Sequence, residues 1–338
     1  MNVSQAVERL LGRLSAERVL RFGADPVGTV EEIFGIRAVA SDGLAERRGA
    51  GGACDGVSFL DDGMLFYAPT EFSKRHNFTI AHEVGHHLVN QDDGVSDWVY
   101  DQRDHEAILE TICDQIAQQL LLPTGEVAAF LEGRVPRARD VLDLYEGSSA
   151  SRPVCAIAVA HHLPKFGAVA LIQRATMTVT SSSVSPDPEN GWSFIYPWPG
   201  QQLPPGHQLR NVGDGDEATR RVSWLGRFGR SEEFFVNAIG THSGIVAVFA
   251  AEDLWGMPGL PRVMDREWDD RLTLHGECCG EPFSTRGYPC SECKTPFCPR
   301  CGKCAHQRRD ARDVTCMECF VLRPPSTVVD GVCAECRG

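Results

Sequence analysis

The sequence predicts an α+β protein in three parts, and three observations carry that prediction. Two histidines stand four residues apart in an apolar-flanked stretch, β-branched and aromatic runs begin after Phe166, and cysteines crowd the C-terminal end. At 338 residues the chain is longer than one compact domain usually supports, and 42% apolar with 23% charged residues is a globular composition. The expected division is a largely helical part over 1–164, a sheet-based α+β part over 165–258 and a small cysteine-rich part over 259–338.

In chain order, Val3, Val7, Leu10, Leu11 and Leu14 recur at helical spacing with charged residues between them. That pattern predicts an N-terminal helix and lacks a signal peptide's uninterrupted apolar core. No run approaches the roughly 20 apolar residues of a membrane span, so the expected location is the cytoplasm, with no membrane partner. Val57 to Leu60 and Met64 to Ala68, joined at Asp61, Asp62 and Gly63, predict a β-hairpin. The histidine stretch "FTIAHEVGHHLVNQ", Phe78 to Gln91, follows as a helix. The stripe Ile108, Ile112, Ile116 and Leu120 predicts a second strong helix that Pro123 ends, with further helices over 125–145 and 153–162. The runs "FGAVALIQRATMTVTSSSV", "WSFIYPW", "RRVSWLGRF", "EEFFVNAIG" and "GIVAVFAAEDLW" predict strands, and Gly256 to Pro261 reads as a linker.

His82 and His86 share one helix face and can present two imidazoles to one ion, while Glu83 sits one step round beside the open coordination position. This is the pattern of zinc hydrolysis: the metal acidifies water and polarises the scissile carbonyl, and Glu83 moves the water's proton to the leaving amine. The bland alternative is a pair of surface histidines, against which the apolar flanks Ile80, Val84 and Leu88 argue. A catalytic site needs a third protein ligand. Glu110 on the next helix is the choice, with Asp114 one turn on to orient a ligand histidine. His87, Asp104, His105 and Glu106 compete with it, and Tyr67, Tyr100 and His105 are candidate oxyanion donors.

"RHNFTIAHEVGHHLV" followed by "ETICDQIAQQLLLP" resembles the ImmA/IrrE family of zinc metallopeptidases. The resemblance covers roughly residues 55 to 125 and implies a zincin-like fold with a helical extension, His82, His86 and Glu110 as ligands and Glu83 as general base. It also implies a substrate, a helix-turn-helix repressor whose cleavage derepresses a stress, mobile-element or defence operon. Domain order and the cysteine-rich end resemble the CapP regulators of phage-defence operons, and family members often carry GAF-like sensors, with which the sheet-based part is compatible. The chain departs from the family pattern at Cys113, where alanine is usual. A thiol there either takes the fourth zinc position and silences the enzyme or packs as a small apolar residue.

Eleven of the fourteen cysteines follow residue 270, since only Cys54, Cys113 and Cys155 precede it. In a reducing compartment such density means metal rather than disulfides. The pairs Cys290/Cys293, Cys301/Cys304, Cys316/Cys319 and Cys333/Cys336 suffice for two structural zinc ions, making three with the catalytic one. Cys278, Cys279, Cys298, His275 and His306 are possible substitutes or a third site, and spacing does not say which pairs share an ion. An iron–sulfur cluster is the minor reading. A net charge of −13 argues against a generally nucleic-acid-coating surface, yet Lys294, Arg300, Lys303, Arg308 and Arg309 form a local basic run around Phe297. That run suits single-stranded or double-stranded DNA as an activator, against a scaffold or protein-docking role.

The leading functional expectation is a regulated zinc endopeptidase. Its rival is a non-catalytic regulator that binds nucleic acid or protein through the zinc tail and keeps a vestigial site, against which an intact Glu83 stands. The substrate is expected to add a strand along Met64 to Ala68, steered by an acidic loop of Asp92, Asp93, Asp97, Asp101 and Asp104.

Overall fold

The computed structural model describes residues 1–41, 44, 56–59, 62–70, 73–186, 195–226, 230–257, 272–278 and 280–310, with the strand residues 314–315, 322–323, 328–329 and 332–333. Helix α1 (Val3–Leu11) starts at Asn2, whose side chain accepts from the Gln5 amide at 2.9 Å, and buries Val3, Ala6, Val7 and Leu10, the helical stripe expected. Helices α2 (Ala16–Ala24) and α3 (Pro26–Phe34) follow, and Gly35 at φ 72° stops the latter in the left-handed region.

Strands β1 (Arg37–Ala40), β2 (Gly56–Phe59) and β3 (Met64–Tyr67) form a sheet in the order β1-β3-β2, with β1 parallel and β2 antiparallel to β3. The predicted hairpin is present as β2 and β3. The expected docking edge is corrected, because β3 has a neighbour on both sides and no ladder left to offer. Among the described residues the edge strands of this sheet are β1 and β2.

Helix α4 (Arg75–Asn90) carries the histidines, and α5 (Asp93–Tyr100), α6 (His105–Leu121) and α7 (Thr124–Leu131) follow. The expected acidic loop is helix α5, and Asp92 is its cap rather than part of a charged surface. The Asp92 carboxylate is buried, accepts from the Val95 amide at 3.0 Å and pairs with Arg9 at 2.7 Å and Arg13 at 2.5 Å. The single helix expected over 125–145 is two, because Glu132 and Gly133 turn left-handed and Pro136 follows. The second piece is α8 (Ala138–Gly147), and α9 (Arg152–Ala160) completes the helical part.

Strands β4 (Gly167–Gln173), β5 (Thr178–Ser185), β6 (Glu217–Leu225), β7 (Ser231–Gly240) and β8 (Gly244–Ala250) form an antiparallel sheet in the order β5-β4-β8-β7-β6. The strand expected in "WSFIYPW" is not one over its described residues 195–198. One face of the sheet is closed by Ile195, Leu203, Leu209 and Val212 from the connection ahead of β6. The other takes α8 and α9, so that Val169, Ile239, Val246 and Val248 share a core with the N-terminal helices. The expected boundary near residue 164 therefore separates chain segments but not cores. In the tail, β9 (Leu272–Cys278) pairs with β10 (Glu281–Gly287), and α10 (Ala305–Asp310) follows.

Candidate metal centres

Helix α4 lies against α6, and at their crossing Gly85 abuts Cys113. This crossing turns the His82 and His86 face of α4 toward Glu110 on α6. His82 Nε2 stands 3.2 Å from His86 Nε2, 3.3 Å from one Glu110 oxygen, and the other Glu110 oxygen is 3.4 Å from His86 Nε2. Each histidine nitrogen faces its own oxygen of the Glu110 carboxylate, and one donor atom from each of the three residues lies within 4.8 Å of the others, a cluster of the residue types that hold a catalytic zinc.

His82 Nδ1 lies 3.0 Å from Asp114, which leaves Nε2 for the ion. Burial pushes the His82 pKa down, but the hydrogen bonds and charges of Asp114 and Glu110 outweigh it and raise the value to about 10. The carboxylates thus attract positive charge to this spot, and a metal ion must displace a proton to take it. His82 in turn holds the Glu110 carboxyl below its ordinary range.

Glu83 accepts a short hydrogen bond from the Ser58 hydroxyl of β2. Ser58 fixes the carboxylate beside the donor cluster, and nothing in the sequence singled it out. His87 turns aside to Gln91, and neither it nor Asp104, His105 or Glu106 belongs to the donor cluster. Tyr67 is buried and stacked on His76, whereas Tyr100 is exposed beside His105. The Cys113 thiol is also outside the three-donor cluster. Its backbone abuts Gly85, it is wholly buried, and burial and the neighbouring carboxylates push its pKa up.

Among the described residues two further donor clusters form in the tail. Cys290, Cys293, Cys304 and His306 make one, with His306 Nδ1 at 3.2 Å from the Cys290 sulfur and 3.1 Å from that of Cys304. Cys278, Cys298 and Cys301 make the other, with the Cys278 and Cys301 sulfurs 3.6 Å apart and Arg308 donating to Cys278 at 3.0 Å. The Cys290/Cys293 and Cys298/Cys301 turns each close with the next residue left-handed, Lys294 at φ 58° and Gly302 at φ 68°, whose amides donate to Cys290 O and Cys298 O. Along the chain the described members of these two clusters alternate. Cys301 and Cys304, expected as one pair, fall in different clusters, which Cys278, Cys298 and His306 join. Cys316, Cys319 and Cys336, with the side chains of Cys333 and Arg309, lie outside the described residues.

The basic run is largely engaged. Arg300 pairs with Glu281, Lys294 donates to Ser291 O, and Arg308 points inward. The tail also meets the first part: a Cβ on Gly280 would come within 2.8 Å of the Trp98 ring of α5.

Residues 34–150, which hold the His82, Glu83, His86 and Glu110 constellation, match the peptidase M78 family model, described as an IrrE N-terminal-like domain. The chain carries an ImmA/IrrE-family peptidase domain. The radiation response metalloprotease IrrE of Deinococcus radiodurans is 29% identical over 94 residues, 27% of this chain and 29% of that protein. The match thus spans less than a third of this relative's length. A transcriptional regulator of Mycobacterium tuberculosis overlays with a TM-score of 0.43 at 16% identity, over 73% of this chain and 75% of that chain. In the ImmA/IrrE domain here, the departure from the family at Cys113 falls at the crossing of its two site helices. No described helix is long and apolar enough to cross a membrane.

Proposed function

We propose that this protein is a regulated zinc endopeptidase that cleaves a cytosolic helix-turn-helix repressor and so derepresses a stress or phage-defence operon, in the manner of CapP regulators. The observation that supports it most is the donor cluster of His82, His86 and Glu110, whose donor atoms lie within 4.8 Å of one another, with a carboxylate, Glu83, held by Ser58. Zinc bound there supplies Lewis acidity that acidifies water and polarises a carbonyl. Glu83 takes the proton of the attacking water and delivers it to the leaving amine, while Ser58 keeps the carboxylate in place. Asp114 holds His82 in the tautomer that offers Nε2.

Of the two edge strands, β2 carries Ser58 and is the rail we assign to an extended substrate, since an added strand there would bring main-chain groups past Glu83. The interleaved tail clusters suit about two structural zinc ions, whose binding would supply folding energy the small tail lacks. The sheet domain is read as a GAF-like sensor.

A nucleic-acid activator has a better place than the basic run. A cavity of about 570 Å³ between sheet and tail is lined by Tyr196, Trp198, Tyr288 and Phe297 with Arg230 and Arg286. Aromatic faces beside guanidinium groups suit a stacked nucleotide of single-stranded DNA.

The experiment is co-expression with the helix-turn-helix protein encoded nearest this gene, followed by sequencing of the fragment ends. A single cut that Glu110→Ala abolishes along with site zinc supports the reading, whereas an intact partner under every inducing condition removes it.

A further inference from the structure

Lys74, the residue before the histidine helix, holds a left-handed backbone at φ 53°, a conformation that costs a residue with a Cβ. Its ammonium donates to Tyr145 O and, at 2.7 Å, to Ser148 O, and stands 4.4 Å from the Tyr145 ring centroid. Buried Asn77 donates to Ser149 O at 2.8 Å. Tyr145 O is among the carbonyls that the C-terminal end of α8 leaves without helical donors, where a cation is favoured. The first turn of α4 is thus fastened to the end of α8.

The other end of α8 is fastened to the sheet. Asn237 on β7, fully buried, accepts from the amide of Ala138, the first residue of α8, at 2.8 Å. Its own amide donates to Glu217 at 3.2 Å and Thr219 at 3.0 Å, both on β6, so its orientation is fixed. A second link runs through Arg152, which donates to Ser243 of the β7–β8 turn at 3.0 Å and lies 4.9 Å from the Tyr145 ring. Between these ends α8 buries Val141, Leu142 and Leu144, and Asp140 caps it through the Arg137 amide at 2.7 Å.

Further along α4, Gly85 fits so tightly against Cys113 that the helices cannot separate or slide there without cost. His82 and Glu83 lie between this fixed crossing and the fastened first turn. A shift of the first turn therefore tilts His82 and Glu83 relative to Glu110, which rides on α6.

We propose that α8 is the strut by which the sheet domain sets the position of the zinc helix, with Lys74 and Asn77 as positioning residues and Asn237 as the sensor-side anchor. This rests on the metallopeptidase reading for its consequence, though not for the coupling itself. The effector's task is then to shift β7 or the β7–β8 turn, and α8 passes the shift to α4.

Hydrogen–deuterium exchange on the zinc-loaded full chain tests it. Asn237→Ala should speed exchange of the amides over 75–81 roughly fivefold, the net worth of one hydrogen bond, although Asn237 touches none of them. Val222→Ala, a core truncation on the opposite face of the sheet, should loosen the sheet without reaching 75–81. Coupling is reciprocal, so Asn77→Ala should speed exchange at the start of α8 and in β7, which decides the matter if Asn237→Ala fails to fold. Lys74→Met should act like Asn77→Ala and Lys74→Arg should not. Unchanged exchange over 75–81 in Asn237→Ala, or equal acceleration in Val222→Ala, would overturn the strut. A wild-type protein that cuts nothing would instead sink the peptidase reading and leave the exchange result standing.

Discussion

A Cβ placed on Gly85 would come within 2.8 Å of the Cys113 Cα and 3.0 Å of its Cβ, so the two site helices meet backbone to backbone at this pair. That approach brings Glu110 within ligand distance of His82 and His86. Gly85→Ala should therefore part the helices at a cost of about 1–3 kcal/mol and weaken zinc binding at the donor cluster, although residue 85 is no ligand. Thermal unfolding with competitive zinc titration measures both, and a normal zinc affinity in this variant would show that the crossing does not set the site.

Cys113 on the other side of that contact distinguishes restraint from packing. Alanine removes the sulfur while keeping the close approach to Gly85. If the thiol turns to the ion and restrains the enzyme, Cys113→Ala should cut its target without an inducing signal. Cleavage that stays signal-dependent would assign Cys113 to the core and place the restraint in the sheet domain or the tail.

Much of this site was legible in the sequence because helix geometry is local. The four-residue spacing puts His82 and His86 on one face of α4, and the stripe from Ile108 to Leu120 orients α6 so that Glu110 and Asp114 face outward together. Contacts that depend on chain closure were not legible. Ser58 is one hydroxyl in a four-residue strand, and its role exists only because β2 folds over α4. The central place of β3 follows from β1 pairing parallel to it across the chain, which no alternation of residue types announces. Asn237 looks like a flaw in the apolar run "EEFFVNAIG" until Ala138 is seen beside it. The tail's Cys-x-x-Cys steps announce metal, but two overlapping steps share Cys301, and only folding assigns it to Cys278 and Cys298.

Interleaving has a consequence for metal loss. Each tail cluster draws ligands from both sides of the other, so loosening one releases the segments that build its neighbour. Cys298→Ser should lower bound zinc by more than one equivalent and expose the tail to protease. Loss of a single equivalent with an intact tail would mean that the two clusters fold independently.

Asp92 joins α5 to α1, and its sign with pH is fixed. Burial pushes its carboxyl up, but Arg9, the Val95 amide and Arg13 hold it below the ordinary value. A depressed folded-state pKa contributes stability above the unfolded value of about 3.9 and loses it as pH falls through the folded value. Asp92→Asn should lower the melting temperature at neutral pH, by the equivalent of about 1–2 kcal/mol for the weakened cap and ion pairs. The gap to wild type should close in strong acid, and a gap that stayed constant below about pH 3 would remove the ionic account.

The central claim is that His82, His86 and Glu110 hold zinc so that Glu83 can move a proton. The most direct measurement is zinc content and cleavage rate in Glu83→Gln, compared with wild type on the same substrate. An amide keeps the shape and the contact with Ser58 but cannot accept water's proton. The predicted result is full zinc occupancy with no cleavage, and cleavage at the wild-type rate would contradict the mechanism.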